Sequence, residues 1–489
     1  LLFFFPRHAP NYQGLGGVIG RFVQAKQPAV NTGIAVAVVE NGEITFFKGY
    51  GYADRVAQTP VTRDTVFRIA SNTKAFAATM LMKLQEDGLV NIHLPVRAYL
   101  PEFTLESEPV SALATPVDLM SHQVGLPRHD LMAILTPYSQ NQIFDRFRFL
   151  EMNKAPGNGF REAMQYNNLM YMTVGMIIEK VLATEWYTAL RYRFLEPLGM
   201  TSTTTGWTDL MAAPDHALPY KGEIAIDGDG FDRIGAAGTM NSNVTDLAKW
   251  LAMFQNGGQD KNGAALISPD SLAQMWTKRS EFTSPDKSVH MEYGLGFALG
   301  QMGGESFVWH TGNLPGYVSL VANVPARRLG LIILANQADG AAFQWPFGTE
   351  ALPTLIYQHL MQFTTDPSRT RVPDLREPNI PSIGRFTEAK LKAVAQDSLV
   401  PRRAFQAVYN EPAYGEIWLT QTLNGTRVLR YYGVAGELVA TPEVGKYTMA
   451  FSKFGLEQQM DVWLEESDGT VTAVKIPFEP AVRPIRFAL

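Results

Sequence analysis

IASNTKAF, residues 69–76, places a polar Ser-Asn-Thr-Lys cluster at the mouth of an apolar helix. Phe76, Met80, Leu81 and Leu84 follow at the i, i+4, i+5, i+8 spacing of a buried helical face, and Gly88 stands where such a helix stops. Ser71 suits an N-cap, since its hydroxyl can accept from a free backbone N–H of the first turn. Lys74 suits nothing so simple, because a cation there faces the positive end of the helix dipole. Spacing i, i+3 brings Ser71 and Lys74 onto one face, within touching distance. A serine hydroxyl becomes a nucleophile when a nearby base takes its proton. A lysine becomes that base when burial and a helix N-terminus lower its pKa; moving it from about 10.4 to neutrality takes roughly 4 kcal/mol, within what buried sites supply. Ser284-Pro285-Asp286-Lys287 also reads Ser-x-x-Lys, but Pro-Asp marks a turn and no helix.

Outward from this helix, residues 33–54 hold two β-rich runs around Asn41-Gly42, a strong hairpin signal. Mixed helical segments follow to about residue 205, including 168–183, apolar on most sides and so expected to be buried. Residues 244–258 describe a capped helix ending in Gly. Residues 306–337 hold three strand-like runs, the last two joined by a turn around Ala326-Arg327-Arg328. Strands at both ends with helices between them imply an α+β domain on one antiparallel sheet. A Pro-rich, charged stretch at 364–384 reads as a linker. Beyond it, GEIWLTQTL, TRVLRYYGV, KYTMAF, MDVWLEES and TVTAVKIPFEP read as short strands, and with turns at Asn424-Gly425 and Asp468-Gly469 they imply a small all-β barrel or sandwich. The expected domains are 1–365, a linker at 366–385, and a β-barrel at 386–489.

The 489 residues are 46% hydrophobic and carry a net charge of −5, which excludes neither a large core nor several domains but gives a nucleic-acid or anionic-membrane partner no electrostatic support. No apolar run is long enough to span a bilayer as a helix. Cys is absent, which removes disulfides, thiolate catalysis and cysteine metal sites, and leaves the compartment open. LLFFF at 1–5 fits a trimmed signal remnant or a packed N-terminus. Asn243-Val-Thr245 and Asn424-Gly-Thr426 are glycosylation sequons, patterns common by chance.

Two further motifs accompany Ser71-x-x-Lys74. Tyr166-Asn167-Asn168 directly precedes the buried helical run. A tyrosine beside a lysine can be held as phenolate or shuttle a proton to a leaving group. The asparagine can donate to a substrate carbonyl and hold the lysine through its oxygen. Taken alone, the pair equally describes a buried tyrosine and a helix cap. His310-Thr311-Gly312-Asn313 follows a strand-like SFVW. A backbone N–H just past the Gly can join that of the nucleophile in an oxyanion hole. With eight histidines in the chain, His310 alone equally describes a structural residue at a strand end.

In this order, Ser71-x-x-Lys74, Tyr166-x-Asn168 and His310-Thr311-Gly312 resemble the motifs of the penicillin-recognising serine hydrolases. The Tyr-x-Asn form looks like the class C β-lactamase and esterase branch. Segments 66–76, 119–130, 235–251, 293–300 and 310–336 are similar to this family in the same order, over roughly residues 15–360. The tail resembles the lipocalin-like barrel that some family esterases and D-aminopeptidases carry. The resemblance implies a β-lactamase-like α+β fold, an antiparallel sheet flanked by helices plus an all-helical region, followed by the barrel. It implies Ser71 as acyl-enzyme nucleophile, with Lys74 and Tyr166 sharing acid/base duty and the primary base left open. Asn168 would position Lys74 and substrate, and the N–H groups of Ser71 and Asn313 would form the oxyanion hole. No metal or cofactor is implied.

His310 stands where β-lactamases and penicillin-binding proteins have a lysine facing the substrate carboxylate. A mostly neutral histidine supplies no fixed charge. The expectation is therefore an esterase acting on an ester or amide of a small, fairly apolar molecule. The alternatives are an acyltransferase of secondary metabolism with a small-molecule alcohol acceptor, a D-aminopeptidase or β-lactamase-like amidase, and a non-catalytic binding protein. Residues 131–157, rich in Phe, Leu and Met, would either rim the cleft or pack between helices.

Overall fold

The computed structural model describes residues 12–26, 32–283, 290–302, 304–337, 352–361, 405–421, 425–453, 456–468 and 470–489. The leading LLFFF, the second Ser-x-x-Lys at 284–287, the linker at 366–385 and Asn424 lie outside them. Contacts divide the chain into two compact units. The first comprises 1–94, 115–121 and 170–376; the second comprises 95–114, 122–169 and 377–489.

The first unit is built on eight antiparallel strands: β1 (Ile34–Glu40), β2 (Glu43–Tyr50), β3 (Ser280–Thr283), β4 (His290–Tyr293), β5 (Ala298–Met302), β6 (Glu305–Leu314), β7 (Tyr317–Val324) and β8 (Leu329–Ala335). Their order is β3-β4-β5-β6-β7-β8-β1-β2, so strands from the beginning and the end of this sheet's sequence meet at β1 and β8, Ile34 opposite Ala335. The β1–β2 hairpin turns at Asn41 and Gly42, both at positive φ (54° and 85°), which the right-handed strand twist requires of a two-residue loop. Strands β7 and β8 are buried along their whole length and edge strand β2 is not, so the central strands are covered on both faces.

On one face lie α1 (Thr73–Glu86) and α3 (Val244–Gln255). Phe76 of α1 stacks on Trp250 of α3 with ring centroids 4.0 Å apart, and Phe254 meets Phe297 edge-on at 5.6 Å. The apolar spacing at Phe76, Met80, Leu81 and Leu84 is buried as expected, and α1 ends at Asp87 with Gly88 at φ 72°. On the other side Phe307 meets Tyr357, from the helix Leu352–Met361. The apolar helix α2 (Asn168–Leu182) is buried at every position from Leu169 to Ile178.

Asn243 opens one of the two sequons. It is buried and caps α3, its side chain accepting from the Asp246 N–H at 2.8 Å and donating to the Asp64 carbonyl at 3.0 Å, so its sequon is structural.

The second unit joins a helical segment to a closed eight-stranded antiparallel barrel. Its strands are β9 (Phe405–Glu411), β10 (Gly415–Gln421), β11 (Arg427–Tyr431), β12 (Val434–Ala440), β13 (Lys446–Lys453), β14 (Leu456–Ser467), β15 (Thr470–Ile476) and β16 (Ile485–Ala488). Alternate residues fill the interior, among them Tyr409, Ile417, Leu429, Tyr431, Val462 and Phe487. The run TRVLRYYGV, expected as one strand, breaks at Tyr432, whose φ of 46° opens the β11–β12 hairpin. In 131–157, Met132, Ile143, Phe144, Phe147 and Leu150 are buried inside this unit, which is the packing alternative.

Candidate active site

The Ser71 turn is held before the helix begins. Phe67 and Arg68 pair with Ser242 and Asn241, and the Ile69 N–H donates to the Met240 carbonyl at 3.0 Å. The chain then enters a 3₁₀ turn, Ala70–Asn72, with Ala70 at φ 48°. A non-glycine residue there costs of order 1–3 kcal/mol and persists only where its surroundings impose it. They do so here. Asn72 donates to the Ser319 hydroxyl at 2.8 Å, Ser319 donates to the Ile69 carbonyl at 2.7 Å, and Thr73 Oγ1 donates to the Ala70 carbonyl at 2.6 Å. Ser71 is not the N-cap that its residue type suggests. Asn72 takes that position with helical dihedrals and no side-chain cap bond. The Ser71 hydroxyl instead accepts from Lys74 Nζ at 3.0 Å.

Lys74 is fully buried. Its Nζ also donates to the Ala237 carbonyl at 2.7 Å and lies 5.4 Å from the centre of the Tyr171 ring. Ala237 ends a turn broken at Gly235 (φ 47°, ψ −123°), a kink that points its carbonyl at the amine. The amine is thus gripped between the serine oxygen and a backbone oxygen in a dry site. This is the arrangement in which a lysine can accept the serine proton.

The third motif lies within β6 rather than after a strand, His310 opposite Val321 and Gly312 opposite Ser319. A Cβ on Gly312 would strike the Ile69 carbonyl and the Ser319 hydroxyl, so only glycine lets β6 back so closely onto the Ser71 turn. Asn313 is exposed and Thr311 half-buried. His310 is buried; its Nδ1 lies 2.5 Å from the Thr311 carbonyl and its Nε2 2.9 Å from the Tyr293 hydroxyl. A carbonyl only accepts, so Nδ1 carries the proton and Tyr293 donates to Nε2. Burial first, and the Lys74 charge second, push this ring down to about 3. It is neutral at physiological pH and adds no cation.

Tyr166 and Asn168 belong to the second unit. There the His122 ring lies 4.3 Å from that of Tyr166, and the Arg128 guanidinium 5.1 Å from its centre. Asn168 Nδ2 donates to Asp130 at 3.0 Å, and the other Asp130 oxygen accepts from Arg128 Nε at 2.6 Å. Asn167 is buried and donates to the Leu126 and Pro127 carbonyls at 2.9 and 2.6 Å. The structure therefore gathers Ser71, Lys74 and the His310–Asn313 strand in one unit and the Tyr-x-Asn motif in the other. The sequence does not single out Ala237, Tyr293, Ser319, His122, Arg128 or Asp130. All six sit in segments whose family likeness is visible, yet no local pattern distinguishes them from packing residues.

Sheet, Ser71 turn and closely backed strand define a β-lactamase-like fold. The chain belongs to the Beta-lactamase family, which matches residues 22–347. An unguisins hydrolase of Aspergillus campestris is 30% identical over 62% of this chain, and the chain spans 58% of that relative's own length. The octameric penicillin-binding protein homologue from Pyrococcus abyssi shares the fold over 98% of this chain and 100% of its own, with a TM-score of 0.59 at 22% identity. The D-amino acid amidase from Ochrobactrum anthropi, solved with L-phenylalanine, covers 66% of this chain and 91% of its own, at 26% identity and a TM-score of 0.54.

Proposed function

We propose that this chain is a serine hydrolase that forms an acyl-enzyme on Ser71 and cleaves an ester of a small, fairly apolar molecule. One observation carries this above the others: a fully buried lysine amine 3.0 Å from the serine hydroxyl, one helical turn away. Lys74 takes the Ser71 proton as the hydroxyl attacks the acyl carbon. The carbonyl oxygen gathers charge under the N–H groups of Ser71 and Asn313, and Tyr166 with Lys74 returns a proton to the leaving group. Water then attacks the acyl-enzyme by the same route in reverse. Asn168 orients the substrate carbonyl. Thr311 and Gly312 form the strand edge along which the substrate lies.

The neutral His310 supports this substrate class. With no cation at that position, a substrate carboxylate gains no fixed partner, so neutral substrates are favoured over β-lactams and free-carboxylate peptides. Amide cleavage is the second reading, supported by the likeness to an amidase and to a hydrolase named for unguisins. Transfer of the acyl group to a small-molecule alcohol uses the same residues and differs only in what attacks the acyl-enzyme.

Rapid mixing with a p-nitrophenyl ester is expected to release a burst of one nitrophenol per chain. A burst absent at every chain length of acyl group would reject covalent catalysis. Added alcohols, with free acid and new ester quantified, separate hydrolysis from transfer.

A further inference from the structure

Within the second unit, the barrel grips the segment that carries the Tyr-x-Asn motif, and the grip centres on His129. His129 is fully buried, with φ 47° and ψ 27°, a left-handed conformation that a histidine adopts only where its surroundings hold it. The surroundings are barrel residues. The His129 backbone N–H donates to Glu479 Oε2 at 2.8 Å, and its Nδ1 lies 2.6 Å from the Tyr414 hydroxyl. Its Nε2 lies 3.1 Å from the Glu151 carbonyl. That carbonyl only accepts, so Nε2 carries the proton and Tyr414 donates to Nδ1. Burial holds the ring below its usual pKa and the Tyr414 phenol well above its own, which keeps both partners in these roles. Tyr414 is itself rigid, stacked on Phe478 with centroids 5.3 Å apart.

The residues on either side of His129 reach the motif. Arg128 lies over the Tyr166 ring, and Asp130 accepts from Asn168 while pairing with Arg128. The loop from Leu126 to Asp130 is thus laced to Tyr166, Asn167 and Asn168 on one side and bolted to the barrel on the other.

We propose that the C-terminal barrel is a positioning element for the Tyr166–Asn168 motif, acting through Glu479 and Tyr414 on His129. The barrel touches no reacting atom in this role. It fixes the backbone conformation from which Arg128 and Asp130 orient the phenol and the amide. The inference rests on the acyl-enzyme reading, in which Tyr166 moves a proton.

The test uses the full chain and a p-nitrophenyl ester. E479A is expected to lower kcat between about 10- and 100-fold with KM changed less than about twofold, as misplacement of a proton-transfer group does. E479Q, whose amide oxygen still accepts from the His129 N–H, is expected to restore most of the rate. In a Tyr166→Phe background, E479A is expected to cost less than about twofold, because both changes disable the same step. A folded E479A with wild-type kcat overturns the proposal, and so does a loss of equal size in the Tyr166→Phe background. Where E479A does not fold, Y414F removes a single hydroxyl and is read in the same way: a lowered kcat supports the proposal, an unchanged one overturns it. A wild-type chain without a burst rejects the acyl-enzyme reading, whereas a wild-type burst with an unaltered variant rejects only the barrel's role.

Discussion

The Ser71 turn and the Tyr166 segment solve the same problem in opposite ways. Each must hold polar side chains in a set geometry next to a residue in left-handed conformation, Ala70 at φ 48° and His129 at φ 47°. At the turn the key pair is three residues apart, and the strain is held by β6 and β7 pressing from behind. At the Tyr166 segment the bond that holds the strain spans 350 residues, from His129 to Glu479. The first arrangement is written in a local pattern and propped by a sheet. The second exists only once the barrel has closed and docked on its segment.

Substitutions can break or sharpen that contrast. The largest effect is expected from Ser71→Ala, which should lower kcat by about 10⁴-fold or more. Because Ser71 caps no helix and Lys74 keeps its bond to Ala237, the stability should stay within about 1 kcal/mol of wild type by denaturant unfolding. Retained turnover would point to another nucleophile. Tyr166→Phe should follow, with kcat lower by about 10²- to 10⁴-fold and the circular dichroism unchanged; a near-normal kcat would remove the phenol from the mechanism.

The two strained residues should then part company. His129→Gly relieves the backbone but deletes the ring bonds to Tyr414 and Glu151, for an expected net loss of about 2 kcal/mol or more. Ala70→Gly relieves similar strain and deletes one buried methyl, so the expected net change is under about 1 kcal/mol. Equal losses in urea unfolding would mean that the two sites are held alike.

The last effect is read as a slope and concerns protons. The native His310 ring refuses a proton down to a pH of about 3, while the unfolded chain takes one near pH 6.5. Its contribution is therefore fully present above about 6.5 and drains away as the pH falls towards 3, at up to about 1.4 kcal/mol per pH unit. His310→Gln should flatten that slope in urea titrations over the same window, and an unaltered slope would place the acid sensitivity elsewhere.

What was legible in the sequence follows the same division. The α1 stripe, the Asn41-Gly42 hairpin and the three strands of 306–337 are local patterns, and each is present. The Ser71–Lys74 contact follows from helical spacing alone. The N-cap role of Ser71 failed because the chain approaches α1 through a 3₁₀ turn imposed by neighbouring strands, not by propensity. Asn243 is a buried cap, as a sequon met by chance can be, because a short motif carries no information on burial. The barrel was visible as a set of short strands, but β9, β12 and β16 were missed, and the Tyr432 turn was hidden inside an apparently continuous strand. His129, Tyr414 and Glu479 carry no signal at all until the fold brings them together.

Intact-protein mass spectrometry after brief exposure to a panel of esters, thioesters, D-amino-acid amides and β-lactams tests the covalent chemistry most directly. The prediction is one added acyl mass, formed from a neutral ester and mapped to the peptide that carries Ser71. A chain that turns over these substrates with no adduct at any time, or with the adduct on another residue, would contradict it.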